Sequence, residues 1–398
     1  MMRIIPRLPP MLMLAALALA GPIRAEEAER MPFELVRSLR AIQDRIAHGD
    51  AAAHESQGQL MAEIAARLAR VDAAAWNDPR NARAAVIYVL SGGDPAVLKR
   101  LHGAGALPGI EENLVKGVLA YSEGRSAEAD LLLGIDTRGL DPTIGGHIAL
   151  VQSGLTLHKD ANKALALLDE ARLRSPGTLI EEAALRRQAF LVLAAGDRDR
   201  FETLSSRYLR RFGDSVYADS FRRQFATEVV GQKYAVDSAR LKRIEAMLAD
   251  LDQSDRLDIY LAIAAEGVLR GKVEATSMAA ANASGLAEDG SATRARAELY
   301  RGAALIVTEE HDSGLATLKG VDKSALERVD AELLEAAVSL AGQMRRWPEA
   351  ADAAGGLAEI EARAAPGEQP VVLATSKLLM VAKEMNSRAD QMLNGAAK

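Results

Sequence analysis

The amino-acid sequence predicts an all-α fold, an α-solenoid built from stacked helical hairpins. Three observations carry this expectation. Apolar residues recur three and four positions apart, the spacing of one helix face. Sustained period-two alternation and clusters of β-branched or aromatic residues, the marks of strands, are nearly absent. Short polar or glycine-containing breaks also divide the chain at near-regular intervals. They fall near Gly93, Gly124, Asp160, Asp197, Gln232, Gly271, Asp312 and Trp347.

The elements follow in chain order. Arg3 and Arg7 precede an unbroken apolar run over residues 11–20. Small residues come next, with Ala18-Leu19-Ala20 and Ile23-Arg24-Ala25 as candidate cleavage sites. That is the pattern of a cleaved signal peptide, assigned to residues 1–25. The run is too short for a membrane span, which takes about 20 residues, and no later stretch is long and apolar enough for one. The expected product is an exported, periplasmic chain; an uncleaved N-terminal anchor is the alternative. Cleavage before Glu26 removes three Arg and no acids, leaving 46 basic against 55 acidic residues.

Residues 26–76 read as an N-terminal helical pair. Pro32 and Phe33 open the first helix, whose face carries Leu35, Leu39, Ile42 and Ile46, and Gly49-Asp50 ends it. Leu60, Met61, Ile64 and Leu68 share a side of the second. Trp76-Asn77-Asp78-Pro79 separates this pair from the repeats, assigned to residues 77–363. Segments 115–135, 148–173, 183–212 and 337–357 show the repeated unit well. In each, an apolar helix enters a tight turn and a second apolar helix leaves it. The unit length is TPR-like (resembling tetratricopeptide repeats), although the repeat is degenerate and the full consensus is missing. One hairpin cannot bury its apolar face alone; stacked neighbours bury it for one another. An irregular helical globule is the competing architecture. Residues 364–398 hold an AAPGEQP linker, a last helix over 373–393 and a short tail. Leu378, Val381, Met385 and Met392 share one side of that helix, which is expected to cap the open end of the array, with docking of a partner as the alternative.

Composition excludes several chemistries. Without cysteine there is no disulfide framework, thiolate zinc site or cysteine nucleophile. The net charge of −6 argues against a broad nucleic-acid surface. Of His48, His54, His102, His147, His158 and His311, no two are spaced as a helical zinc pair. Gly103-Ala104-Gly105 reads as a loop, and no P-loop or nucleophile elbow occurs. Glu111-Glu112, Glu181-Glu182 and Glu309-Glu310 read as solvated acids near helix starts, where the helix dipole favours them. Trp76 and Trp347 read as packing residues rather than sugar platforms. No cofactor and no metal are expected, and the chain is read as a non-enzyme.

One segment stands out in a chain that is only 4% aromatic, because it interleaves arginines with rings. Arg207, Tyr208, Arg210, Arg211 and Tyr217 lead into Arg222 and Arg223. Arg and Tyr are over-represented at interface hot spots, so these seven are the candidate partner-binding residues. The alternative is an ordinary hairpin, with Tyr208, Phe212 and Phe225 in the core and the arginines in solvent.

Four segments carry a resemblance to a known family: 32–50 (PFELVRSLRAIQDRIAHGD), 177–188 (GTLIEEAALRRQ), 208–218 (YLRRFGDSVYA) and 372–385 (VLATSKLLMVAKEM). In this order, after a signal peptide, they resemble the MotC family of periplasmic flagellar motor proteins. The resemblance implies an accessory protein rather than an enzyme. It also implies association with the periplasmic part of the stator subunit MotB and a need for the protein in torque generation. It brings no catalytic motif and no residue-level binding signature. Two other readings share the sequence: a different periplasmic adaptor, in secretion or envelope assembly, and a helical wall-cleaving enzyme. The last would need a positioned Glu beside an aromatic-lined glycan cleft.

Overall fold

A computed structural model describes residues 30–231, 234 and 238–344. Those residues form seventeen α-helices and three short 3-10 turns, with no strand among them. The helices are α1 (Pro32–Ala47), α2 (Ala51–Leu68), α3 (Pro79–Leu90), α4 (Pro95–Gly103), α5 (Glu112–Ser122), α6 (Ser126–Leu132), α7 (Pro142–Thr156), α8 (Ala161–Arg174) and α9 (Leu179–Ala194). They continue as α10 (Arg198–Phe212), α11 (Ala218–Val230), α12 (Ser238–Leu248), α13 (Gln253–Leu269), α14 (Val273–Leu286), α15 (Ala292–Leu305), α16 (His311–Gly320) and α17 (Arg328–Met344). The signal peptide, Trp347, the linker and the last helix expected from the sequence lie outside the described residues.

Five of the breaks read from the sequence fall at the turns between paired helices or at a helix cap. Asp312 lies instead in the first turn of α16, and Gln232, like Trp347, lies outside the described residues. Gly93 lies between α3 and α4, Gly124 between α5 and α6, and Gly271 between α13 and α14. Asp160 and Asp197 cap α8 and α10, each accepting a hydrogen bond from a first-turn N–H. Asp50, Asp78, Asp94 and Asp141 do the same for α2, α3, α4 and α7. A carboxylate at this position satisfies a backbone donor that the helix itself leaves unpaired, worth typically about 1 kcal/mol. Proline follows the cap in α3, α4 and α7, where its missing N–H costs no helix bond.

Hairpins stack into an array. First helices pack on first helices, α7 on α9, α11 on α13, α13 on α15 and α15 on α17. Second helices form their own row, α10 on α12 and α12 on α14. Two large apolar clusters fill the space between the rows, one from α1 to α7 and one from α8 to α17. A small Ala- and Leu-rich cluster of Ala149, Leu168, Ala171 and Ala184 joins α7, α8 and α9.

The N-terminal pair does more than precede the array. Helix α1 packs against α3 and also against α9, far along the chain. Leu35, Val36 and Leu39 enter the first apolar cluster, while Ala47 enters the second. The end of α1 meets the turn after α10: the Val216 N–H donates to the Ile46 carbonyl at 3.3 Å. Gly49 is required there twice over. Its φ of 93° suits glycine, and a Cβ would lie 2.5 Å from the Asp214 carbonyl oxygen. Trp76 is buried against α3 in the first cluster, the packing role expected of it.

Candidate protein-docking site

Residues 207–225 span the end of α10, a turn and most of α11. Tyr208, Phe212, Phe221 and Phe225 are fully buried. The Tyr208 and Phe221 rings stack with centroids 3.9 Å apart, and Phe201 stacks on Phe225 at 5.6 Å. Such ring pairs add about 0.5–1.5 kcal/mol to their area burial. The Tyr208 hydroxyl donates to Glu182 Oε1 at 2.7 Å, across from the first turn of α9. Arg186 Nε reaches the same carboxylate at 3.0 Å. Burial beside this carboxylate pushes the Tyr208 phenol well above its ordinary value.

Glu181 and Glu182 therefore differ from the solvated acids the sequence suggested. They are 3% and 0% exposed. Glu181 accepts from the Gly177 N–H at 2.6 Å and from Arg211 at 2.8 Å. Tyrosine, arginine, a loop amide and the positive end of α9 together replace the water both carboxylates lose. Glu111-Glu112 and Glu309-Glu310 lie in solvent at the starts of α5 and α16, as expected.

The seven candidate residues separate into two groups. Tyr208 is internal, and the Arg222 side chain, 11% exposed, is nearly so. Arg222 donates to the Gly213 carbonyl at 2.8 Å and pairs with Asp255 of α13, tying α11 to its neighbour. Tyr217 is half-buried, with the Arg186 guanidinium 5.1 Å from its ring centroid. Arg210, Arg211 and Arg223 are exposed, and Arg207 is half-buried. Arg210 lies 3.5 Å from Asp250. Arg207 and Arg223 form no ion pair among the described residues. Arg207, Arg210 and Arg211 are spaced three and four apart on α10, so they share a face of that helix.

The arrangement around Tyr208 recurs twice, which sequence reading missed. Tyr234 donates to Glu202 at 2.6 Å, and Arg240 reaches the same oxygen at 2.8 Å. Tyr300 donates to Asp330 at 2.8 Å, with Arg296 on that carboxylate at 3.0 Å. In each case a buried tyrosine and an arginine converge on one acid; Arg186 comes from the acid's own helix, whereas Arg240 and Arg296 come from other helices. The separations from tyrosine to acid are 26, 32 and 30 residues, close to one repeat. Tyrosine paired with an acid at that distance was the available signal.

Among the described residues, no three His, Asp or Glu side chains converge where they could hold a metal ion. No helix among them is long and apolar enough to cross a membrane.

Comparison with known proteins adds the family. A model of the MotC family, described as chemotaxis protein MotC, matches residues 2–398. The chain is 31% identical over 343 residues to the chemotaxis protein MotC of Rhizobium meliloti (strain 1021), covering 84% of this chain and 78% of that protein. The helical-repeat chain described above thus belongs to the MotC family, and with it to the proteins of chemotaxis and the flagellar motor.

Proposed function

We propose that the chain is a non-enzymatic periplasmic accessory of the flagellar motor that holds the periplasmic part of MotB and is required for rotation. The observation that carries this reading is the family match over nearly the whole chain. The fold supports it, because stacked hairpins offer a long continuous surface of the kind that binds another polypeptide. The signal-peptide pattern of residues 1–25 supports the compartment.

Within this reading the seven candidate residues divide their work. Arg207, Arg210, Arg211 and Arg223 make the docking edge, with Tyr217 beside them. Tyr208 and Arg222 hold the edge in place from inside, by clamping α10 to α9 and α11 to α13. Two arginines that form no ion pair among the described residues suit an acidic partner surface, because none of those contacts has to break on binding.

Deletion of the gene tests the motor role, and in-cell crosslinking of the exported protein tests the partner. The expected deletion phenotype is assembled flagella on cells that fail to swim; crosslinking should capture MotB. Reversing both charges (Arg207→Glu with Arg223→Glu) should weaken capture at least tenfold and leave Tm unchanged. Intact swimming in the deletion would overturn the motor role. Undiminished capture by the charge-reversed protein would remove the docking edge.

A further inference from the structure

A cavity of about 240 Å³ lies beneath α1, walled by α2, α3, α7, α9 and the turn after α10. Both polar and apolar side chains line it. Arg40 and Asp44 face it from α1, Ser91 from the end of α3 and His147 from α7. Leu150, Ile180 and Ala183 make an apolar wall.

The polar groups are poorly satisfied by the protein. Arg40 and Asp44 are one helical turn apart and both half-buried, yet they form no ion pair within 4.0 Å. Among the described residues the one side-chain hydrogen bond Arg40 makes is long, to Thr143 Oγ1 at 3.5 Å. Asp44 is held by the Leu179 N–H, and desolvation pushes its carboxyl above the ordinary value. His147 is 6% exposed. Its Nδ1 faces the Thr143 carbonyl at 2.8 Å, so Nδ1 carries the proton and Nε2 keeps an unused lone pair. The Ser91 hydroxyl is buried with no hydrogen-bond partner among the described residues. Leaving such groups unpaired in a part-buried site costs free energy, about 1–3 kcal/mol for a buried hydroxyl and more for a charge.

A ligand that returned partners to all of them would need an anion, a cation and a small apolar body close together. We infer that this cavity binds a free α-amino acid with an apolar side chain. The ligand carboxylate pairs with Arg40 and the ammonium with Asp44, while His147 Nε2 accepts a further ammonium proton. The side chain packs on Leu150, Ile180 and Ala183. The volume suits a small ligand, lying below the roughly 300–1,000 Å³ of pockets for larger ligands. Charge-assisted hydrogen bonds to both ends are the strong kind and fix the orientation. The site does not depend on the stator reading.

The test uses the mature full-length chain, unfolded and refolded to strip any ligand carried from the cell. Calorimetric titration with the twenty L-amino acids should show saturable binding of at least one apolar member, with L-valine the first probe. Isovalerate is valine without its ammonium, and isobutylamine is valine without its carboxylate; each should bind at least tenfold more weakly. Arg40→Gln and Asp44→Asn should each weaken the amino acid at least tenfold. Ala183→Leu fills the cavity and should abolish binding while Tm and far-UV dichroism hold. Should either charge variant fail to fold, the two analogues and Ala183→Leu decide the matter on folded protein. Absence of saturable heat with all twenty at millimolar concentration overturns the proposal. Isovalerate binding as tightly as valine, or Ala183→Leu binding normally, overturns it equally.

Discussion

Replacing Tyr208 by Phe deletes one oxygen from a side chain with no solvent exposure and leaves its ring stacked on Phe221. What is lost is the 2.7 Å hydrogen bond to Glu182, itself fully buried. Hydrogen bonds to charged groups contribute about 1.5–3 kcal/mol, and a buried acceptor left short of a donor bears the cost of its lost hydration. Arg186 still reaches the carboxylate at 3.0 Å, which places the expected loss near the lower end, about 2 kcal/mol. Unfolding entropy is about 2.1 cal/mol/K per residue, so roughly 300 residues melting together give ~0.6 kcal/mol/K and a fall in Tm of about 3 °C. Thermal and urea unfolding followed by circular dichroism measure this directly. Tyr121→Phe is the control, because Tyr121 is 41% exposed and should change stability by less than about 0.5 kcal/mol. A double-mutant cycle with Glu182→Gln should return a coupling of about 1–2 kcal/mol. A Tyr208→Phe protein as stable as the control, or a cycle with no coupling, would refute the idea that the buried tyrosine–carboxylate clamp holds α10 to α9.

Other expectations follow from the same structure. Burial lowers His147 to about 4, against an ordinary value of 6.5. The unfolded chain therefore binds a proton that the native state refuses throughout that window. The contribution is complete above pH 6.5 and is lost as pH falls toward 4, by about 3 kcal/mol in all. His147→Leu should flatten the stability–pH curve between these limits; curves that stay parallel would contradict it. A Cβ at Gly314 would meet the Ile306 backbone nitrogen and Leu305 Cβ, both at 2.8 Å, where α15 and α16 approach closely. Gly314→Ala should cost about 1–3 kcal/mol in urea unfolding. Gly58, inside α2 and with open space around it, should instead gain about 0.5–1 kcal/mol on replacement by Ala. Arg296→Met should destabilise by about 3 kcal/mol or more, since it strips the cation from Asp330, 5% exposed, and leaves a buried charge.

Much of the helical layout was legible because it is written locally. Asp160 and Asp197 mark helix starts through their own side chains, and Gly124 and Gly271 mark turns through a positive φ that glycine adopts freely. The face read on α1 illustrates the limits of periodicity. Leu35, Leu39 and Ile46 are buried, but Ile42 is only half-buried and Gln43 is buried in its place. A second contact, to α9, rotates the buried stripe away from the one that apolar residues alone suggest. The arginine-rich segment shows the same limit. Spacing placed Arg207, Arg210 and Arg211 on one helix face but did not separate Arg222, which turns inward to Asp255.

Short-range forces, namely helix period, side-chain caps and turn residues, determined from the sequence alone that this chain would be a series of paired helices. They act within a few residues, so one strand of text contains both parties to each interaction. The burial of Glu181 and Glu182, the crossing of α1 from α3 to α9 and the polar cavity beneath it were decided only in three dimensions. Each joins groups dozens of residues apart, and whether a carboxylate meets water or a tyrosine hydroxyl depends on a neighbour that the local sequence does not name.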